Sequence, residues 1–269
     1  MEVFRIPDRG VLQIGGAEAE PFLQALVTNS VAGIAPGVAV YAALLTPQGK
    51  FLHDFFVTPA PGAGALLLEV EAPRIDDLKR RLTMYRLRSK VTIDDVSADW
   101  QVLAALGGNV EGEGAISFTD PRDPAMGQRV LWPAALPLPA HTDDLDAYHA
   151  RRVALGIPDG SRDIEVERNF MLEVRFDQVN GIDFRKGCYV GQEITARSKY
   201  RGNVRKMLLP CRVDGDLPPA GTDVVVDGRS VGTVRSGAGD HVLAMLRLDR
   251  TEGDLMAGGS RLTVSQAAD

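Results

Sequence analysis

Cysteine is scarce in this chain: Cys188 and Cys211 are the only two in 269 residues. That excludes a disulfide scaffold and suits a reducing compartment. Neither cysteine lies in a Cys-x-x-Cys pair or beside a histidine. No full ligand set for zinc or a cluster is therefore visible, and no metal site is expected. Long apolar runs are also missing. The longest, residues 63–70, is strand-sized, whereas a membrane span needs roughly 20 residues. The opening MEVFRIPDRG carries acids, arginines and a proline, and no secretory signal. Positive charge is in deficit, with a formal net charge of -6. This argues against a broad duplex-binding surface, while leaving room for a local basic patch.

What is present is ordinary globular material, 45% hydrophobic and 25% charged. The length is roughly 1.8 times a domain of about 150 residues, which predicts two domains or one intertwined pair. The N-terminal third alternates strand and helix signals. Val11 to Ile14 reads as a strand, Ala17 to Val27 as a helix with Phe22, Leu23 and Leu26 at helical spacing, and Val38 to Leu45 as a buried strand. Thr46 to Gly49 is a turn, followed by strands Phe51 to Thr58 and 65–71. Pro73 opens the clearest helix, with Ile75, Leu78, Leu82 and Tyr85 on one face and Asp76 and Asp77 in its first turn. Strands follow at Val91 to Val96 and Trp100 to Leu106. Gly108 to Pro139 is a loop-rich sheet edge with short strand signals at Ala115 to Phe118 and Arg129 to Trp132. Thr142 is expected to cap a helix from Asp143 to Leu155. The last third turns to β signals, with Asp227-Gly228 marking a two-residue hairpin. A small antiparallel barrel or sandwich from about Met207 onward is the expected ending.

The chemistry concentrates in Val179 to Arg205, VNGIDFRKGCYVGQEITARSKYRGNVR. Glycines break this stretch into turns around Cys188. Arg185 and Lys186 would favour a thiolate there, as would the N-terminus of a short helix from Gly191 to Tyr200. The alternative is a buried cysteine acting as a small hydrophobe.

Lys186-Gly187-Cys188-Tyr189-Val190-Gly191-Gln192-Glu193, with Arg197 after it, resembles the signature of the YgfZ family. These are folate-binding, iron–sulfur cluster maintenance proteins related to the glycine-cleavage T-protein, an aminomethyltransferase. Thr28-Asn29, the hairpin Tyr41 to Lys50, Tyr85 to Arg88 and Gly156-Ile157-Pro158 are similar to the family's other landmarks, in the same order. The resemblance implies an α+β fold of the T-protein type: a three-lobed ring with two interleaved α+β lobes over residues 1–206 and a C-terminal small antiparallel β-barrel over 207–269. It implies tetrahydrofolate as the ligand. It implies cluster assembly proteins or cluster-dependent enzymes as partners, because one thiolate cannot hold a cluster alone.

The resemblance also assigns roles. Cys188 would act as redox sensor, transient mixed-disulfide former or temporary ligand. Lys186 would tune Cys188 or hold an anionic folate tail, and Gly187 and Gly191 would admit a ligand close to the backbone. Tyr189 would pack on a pterin or fill core. Gln192 and Glu193 would bond ring nitrogens, or Glu193 would serve only as a carboxylate at a helix start; Arg197 would pair with a folate carboxylate or with Glu193 one turn earlier. Tyr41 and Asn29 complete the expected folate site. The T-protein's Gly-Gly-x-x-Asp-Asp pattern appears here as Gly49-Lys50-Phe51-Leu52-His53-Asp54. Asp54 is thus the remaining candidate for acid–base work, or an exposed strand residue, and His53 an outward strand residue.

Three functions follow. The first is a tetrahydrofolate-binding accessory protein that supports assembly or repair of iron–sulfur clusters. The second is a folate-dependent aminomethyl or one-carbon transferase, so enzymatic turnover stays open. The third is a tRNA-modification factor working through Arg197, Lys199, Arg201, Arg205 and Lys206. A bacterial cytoplasm is the expected location, with the mitochondrial matrix as the alternative.

Overall fold

The computed structural model describes residues 1–62, 64–202 and 204–265, and the side chain of Arg201 also lies outside the described residues. The apolar run expected from position 63 therefore begins outside them. Contacts divide the chain into two compact units. The first holds Met1–Gln48, Leu52–Leu145 and Val179–Gln192; the second holds Gly49–Phe51, Asp146–Gln178 and the chain from Glu193 onward.

The first unit is built on two sheets. One runs β1 (Glu2–Arg5), β7 (Trp100–Leu106), β9 (Gln128–Pro133), β8 (Ile116–Thr119), all antiparallel. The loop-rich stretch after Gly108 thus does supply a sheet edge, β8. The other runs β3 (Val40–Leu45), β4 (Phe51–Pro59), β5 (Leu66–Glu71), β2 (Arg9–Gly15), β6 (Thr92–Asp95). In β4 every residue from Phe51 to Thr58 is buried, so this strand is covered on both faces. Helix α2 (Ile75–Arg86) buries Ile75, Leu78 and Leu82 of the expected stripe, while Tyr85 is half-buried.

Helix α1 (Ala19–Gln24) is shorter than its periodicity suggests. Val27 leaves the helix to form an antiparallel bridge with Leu44, and the Thr28 N–H donates to the Ala43 carbonyl at 3.0 Å. Tertiary pairing here overrides local propensity.

In the second unit, α3 (Asp146–Ala154) starts three residues later than its cap signal implies. Thr142, in the first unit, pairs with β1: its N–H donates to Val3 O at 2.8 Å, its carbonyl accepts from Arg5 at 3.0 Å, and its hydroxyl takes the Asp144 N–H. Short α4 (Gly160–Asp163) follows, and then α5 (Gln192–Arg201), the helix expected after Gly191.

The chain ends in a closed six-strand barrel: β10 (Lys206–Asp214), β13 (His241–Arg247), β12 (Arg229–Ala238), β11 (Asp223–Val226), β14 (Leu255–Ala257) and β15 (Ser260–Val264), with β15 pairing back to β10. Asp227 and Gly228 both take positive φ, 49° and 74°, as a type I′ hairpin turn requires. Register shifts at Val224/Val225 and Val234/Ser236 supply local bends. Cys211 packs inside among Val213, Val224, Val234 and Leu246. The architecture is α+β, with two sheets and a terminal barrel.

Candidate functional site

Thr28, Asn29 and the segment Val179–Gln192 belong to one piece of structure. The Thr28 hydroxyl donates to Gly181 O at 2.7 Å and accepts the Ala43 N–H at 2.9 Å. Asn29 Nδ2 donates to Tyr41 O at 2.8 Å and Asn180 O at 2.7 Å, while its Oδ1 accepts the Ser30 N–H at 2.9 Å. Asn180 sits at φ 55°, a left-handed position that asparagine tolerates. Asp183 Oδ1 then accepts the Arg185 N–H at 2.8 Å and turns the chain toward Lys186.

Lys186 fixes the approach to the cysteine. Its Nζ donates to the carbonyls of Gln24 at 2.8 Å, Val27 at 2.5 Å and Asn29 at 2.7 Å. An ammonium has three protons, and all three are placed here on carbonyls at and beyond the end of α1. Burial pushes the Lys186 pKa down to about 8, with Asp183 acting the other way. The ammonium also lies 5.3 Å from the ring centroid of half-buried Tyr189.

Beyond this clip the chain opens to solvent. Gly187 and Cys188 are exposed. A Cβ built on Gly187 would meet nothing within 4 Å. Cys188 is therefore not the buried hydrophobe that composition alone allows. Gly191 turns the chain at φ 84°, and Gln192 Oε1 accepts the Tyr189 N–H at 3.3 Å. Glu193 and Arg197 are exposed on α5, one helical turn apart. In the basic cluster, Lys199 pairs with Asp177 at 2.7 Å and Lys206 with Glu173 at 3.5 Å.

Two residues of the hairpin depart from the strand-surface alternative. Asp54 is buried, and the Tyr41 hydroxyl donates to its Oδ2 at 2.6 Å. Burial, and then the Asp54 carboxylate, hold the Tyr41 phenol well above its usual pKa. Tyr41 is therefore the donor of that pair. His53, expected to point outward, is buried, and its Nε2 lies 2.8 Å from Asp77 Oδ2. The reason is that Asp77 of α2, and Arg74 just before it, reach this part of β4. Burial, then Arg74, pushes the His53 pKa down to about 4. At Asp77 burial works against the charge, but hydrogen bonds from Arg81, His53 and Arg80 outweigh it. The pair is thus a neutral imidazole N–H on a carboxylate.

An unfolded histidine titrates near 6.5. Between about pH 6.5 and 4 the unfolded chain takes up a proton that the folded chain refuses, so stability falls as pH falls through that window. The full effect is about 3 kcal/mol. His53→Gln keeps an N–H for Asp77 and removes the titration. Urea midpoints at neutral pH and about pH 4.5 should move less in the variant than in the parent chain. Equal acid losses in the two would remove His53 as the cause.

A group of residues that the motif reading did not single out lies beside Tyr41 and Asp54. Glu69 of β5 accepts from Arg9 Nε at 2.9 Å and from Arg129 through both of its carboxylate oxygens. Arg122 grips Asp120 with Nε at 3.0 Å and Nη2 at 2.7 Å. The guanidinium carbons of Arg122 and Arg129 each lie 4.8 Å from the Phe56 ring centroid, and that of Arg122 lies 5.6 Å from the Tyr41 ring. With Asp54, this gives three carboxylates and three guanidinium groups, a balance that suits burial. The signal was available in the sequence: Glu69 interrupts the apolar run of Leu66–Val70, LLLEV.

Known proteins match over most of the chain. Residues 3–112 match the GCVT N-terminal domain, and residues 205–268 match the CAF17 C-terminal beta-barrel domain. The fold is like that of the glycine cleavage system aminomethyltransferase T from Bartonella henselae. The TM-score is 0.79 at 14% identity, covering 98% of this chain and 85% of that one. The mouse protein "Iron-sulfur cluster assembly factor IBA57, mitochondrial" is 34% identical over 285 residues, 94% of this chain and 79% of its own length. Its human counterpart is 34% identical over 283 residues, with the same two coverages. These names place the two relatives in mitochondria, the second of the compartments expected for this chain. At that identity and coverage, joined to a T-protein-like fold and a closed terminal barrel, the chain belongs to the IBA57 family of iron–sulfur cluster assembly factors.

Proposed function

We propose that this protein binds tetrahydrofolate and supports assembly or repair of iron–sulfur clusters, with the Cys188 thiol meeting a cluster held by a partner. The observation that carries this is the construction of the Cys188 loop. A lysine saturated by carbonyls pins it on one side, and open space lies over Gly187 on the other. An accessible thiol on a fixed support is what a transient ligand needs. Among the described residues no group of three or more His, Cys, Asp or Glu side chains stands ready for a metal. The remaining ligands of any cluster that reaches Cys188 would come from the partner. The relatives' names point to the same class of substrate.

The residues divide into supports and contacts for a folate. Asn29, Lys186 and Tyr41 carry hydrogen bonds within the protein and serve as scaffold. Tyr189, Gln192, Glu193 and Arg197 stay half-buried or exposed. Their chemistry fits the group: Tyr189 offers an aromatic face, Gln192 and Glu193 a polar edge for a pterin, and Arg197 a guanidinium for a carboxylate tail. Bound reduced folate would supply a one-carbon carrier or a reductant.

The T-protein-like fold favours a second reading, aminomethyl or one-carbon transfer. That reading asks Asp54, buried and held by Tyr41, to act on a folate amine. The tRNA reading is weakened by the ion pairs of Lys199 and Lys206. Titration with tetrahydrofolate, followed by intrinsic fluorescence, separates the first two. The accessory role expects saturable binding by the parent chain and by Cys188→Ala, with no turnover of a one-carbon donor. Donor turnover that Asp54→Ala abolishes would replace it with the transferase reading. Absence of binding in the parent chain would remove folate from the function.

A further inference from the structure

A groove in the first unit lies between the end of α1 and the end of α2. Phe22, Ala25 and Leu26 line it on one side and Tyr85 on the other, around a hollow of about 350 Å³. Glu18 and Ser89 belong both to this hollow and to an adjoining recess lined by Leu87 and Arg88, so the two form one continuous groove. Leu87 follows the last residue of α2 at φ 44° and ψ -105°. It is 86% exposed, and nearby Met84 is 59% exposed. A positive φ just past a helix end is normally a glycine position, because a side chain strains it. Here a bulky apolar residue occupies that position and stays in water. Strain of this kind gathers at binding sites.

Positive charge gathers at the same place, in a chain whose net charge is -6. Residues 79–90, KRRLTMYRLRSK, hold six cations and no carboxylate. Arg80 and Arg81 are paired with Asp77. Arg86, Arg88 and Lys90 are exposed, and their side chains have no ion-pair partner among the described residues. The Glu18 carboxylate on the lining is turned to the backbone, where Oε2 accepts the Lys90 N–H at 3.0 Å.

The groove adjoins the Cys188 loop. Gln24 and Val27, whose carbonyls hold Lys186, flank Ala25 and Leu26 of the lining. Cys188 lies two residues past Lys186, at most about 7 Å of extended chain. The combination of an apolar hollow and a cationic rim selects the occupant. A flat lipid surface would meet Leu87 and Met84 and leave the hollow behind them unfilled. RNA phosphates would answer the cations and leave the apolar lining bare. An acidic protein segment with an apolar side chain answers both.

We propose that this groove docks an acidic segment of the protein whose cluster meets Cys188. One apolar side chain of the segment seats in the hollow against Leu87, and its carboxylates lie on Arg86, Arg88 and Lys90. The proposal rests on the cluster-support role proposed above and names the face that the partner uses.

A photo-crosslinking phenylalanine analogue in place of exposed Met84, in the full chain and in cells, reads the occupant of the groove. The adduct should contain an acidic peptide from a protein that carries or receives an iron–sulfur cluster. Arg86→Glu combined with Arg88→Glu should cut its yield about tenfold. Both arginines are exposed, so that variant should fold; circular dichroism confirms it. Leu87→Gly should lower cluster-enzyme activity by about half or more. Its urea midpoint should hold or rise, because glycine relieves the strained position. Lipid, RNA or an acid-poor peptide in the adduct, no adduct, an undiminished yield in the arginine variant, or full cluster support by Leu87→Gly would each overturn the proposal. Failure of the cluster role itself would show differently, as full cluster support by Cys188→Ala with the adduct unchanged.

Discussion

Cys188→Ala is expected to leave the protein folded and folate-binding while abolishing its support of cluster-dependent enzymes. The side chain is exposed, and an exposed substitution away from special features changes stability by no more than about 0.5 kcal/mol. The chemistry is another matter. A thiolate is the ligand and the nucleophile, and alanine replaces it with a methyl group that can be neither. Cells carrying the variant should show cluster-enzyme activity no higher than cells lacking the protein. Wild-type activity in those cells would end the role assigned to this sulfur. Cys211 provides the contrast. It lies in the barrel core, and burial pushes its thiol up to about 12, so it stays protonated and unreactive at neutral pH. Cys211→Ala should lower stability by about 1 kcal/mol through lost packing and leave cluster support intact.

Glu69→Ala should be the most damaging substitution in the first unit. Burial raises the pKa of this carboxylate, but Arg129 and Arg9 outweigh burial and hold it below the usual range. Removing it takes away the carboxylate that Arg9 and Arg129 share and leaves two carboxylates against three guanidinium groups in the cluster. Loss of one partner from such a network costs about 3–5 kcal/mol. Whole-protein stabilities are only about 5–15 kcal/mol, so the variant should sit close to unfolding. A urea titration measures it, and a loss below about 1 kcal/mol would show that the network relaxes freely. Asp143→Ala removes the carboxylate from an exposed pair with Arg5 and should leave the midpoint where it was. The difference between the two is solvent: water replaces the lost partner at Arg5 and cannot do so at Arg9 and Arg129.

The amphipathic stripe of α2 was legible in the sequence because each apolar residue reports its own burial at a fixed period. The Asp227-Gly228 hairpin was legible because few residues tolerate two successive positive φ angles. Helix α5 beyond Gly191 followed from local propensity and a break. Short strands β14 and β15 were not legible as separate elements. Each is too brief to carry a period, and it is pairing with each other and with β11 and β10 that defines them. Thr142 read as a helix cap because a cap and a strand edge use the same residue type, and partner β1 is far away in sequence.

By itself the sequence determined the kinship and the order of most elements. Those properties depend on residue types at short spacing, which the linear chain preserves. Tertiary structure alone decided which of the candidates are buried and what they touch. It turned Lys186 and Asn29 into fasteners by placing carbonyls from distant segments around them. It put His53 and Asp54 inside by covering both faces of one strand, and it left Cys188 at the surface. The physical reason is that burial and charge pairing are set by groups far apart along the chain, and no local pattern records which of them will meet.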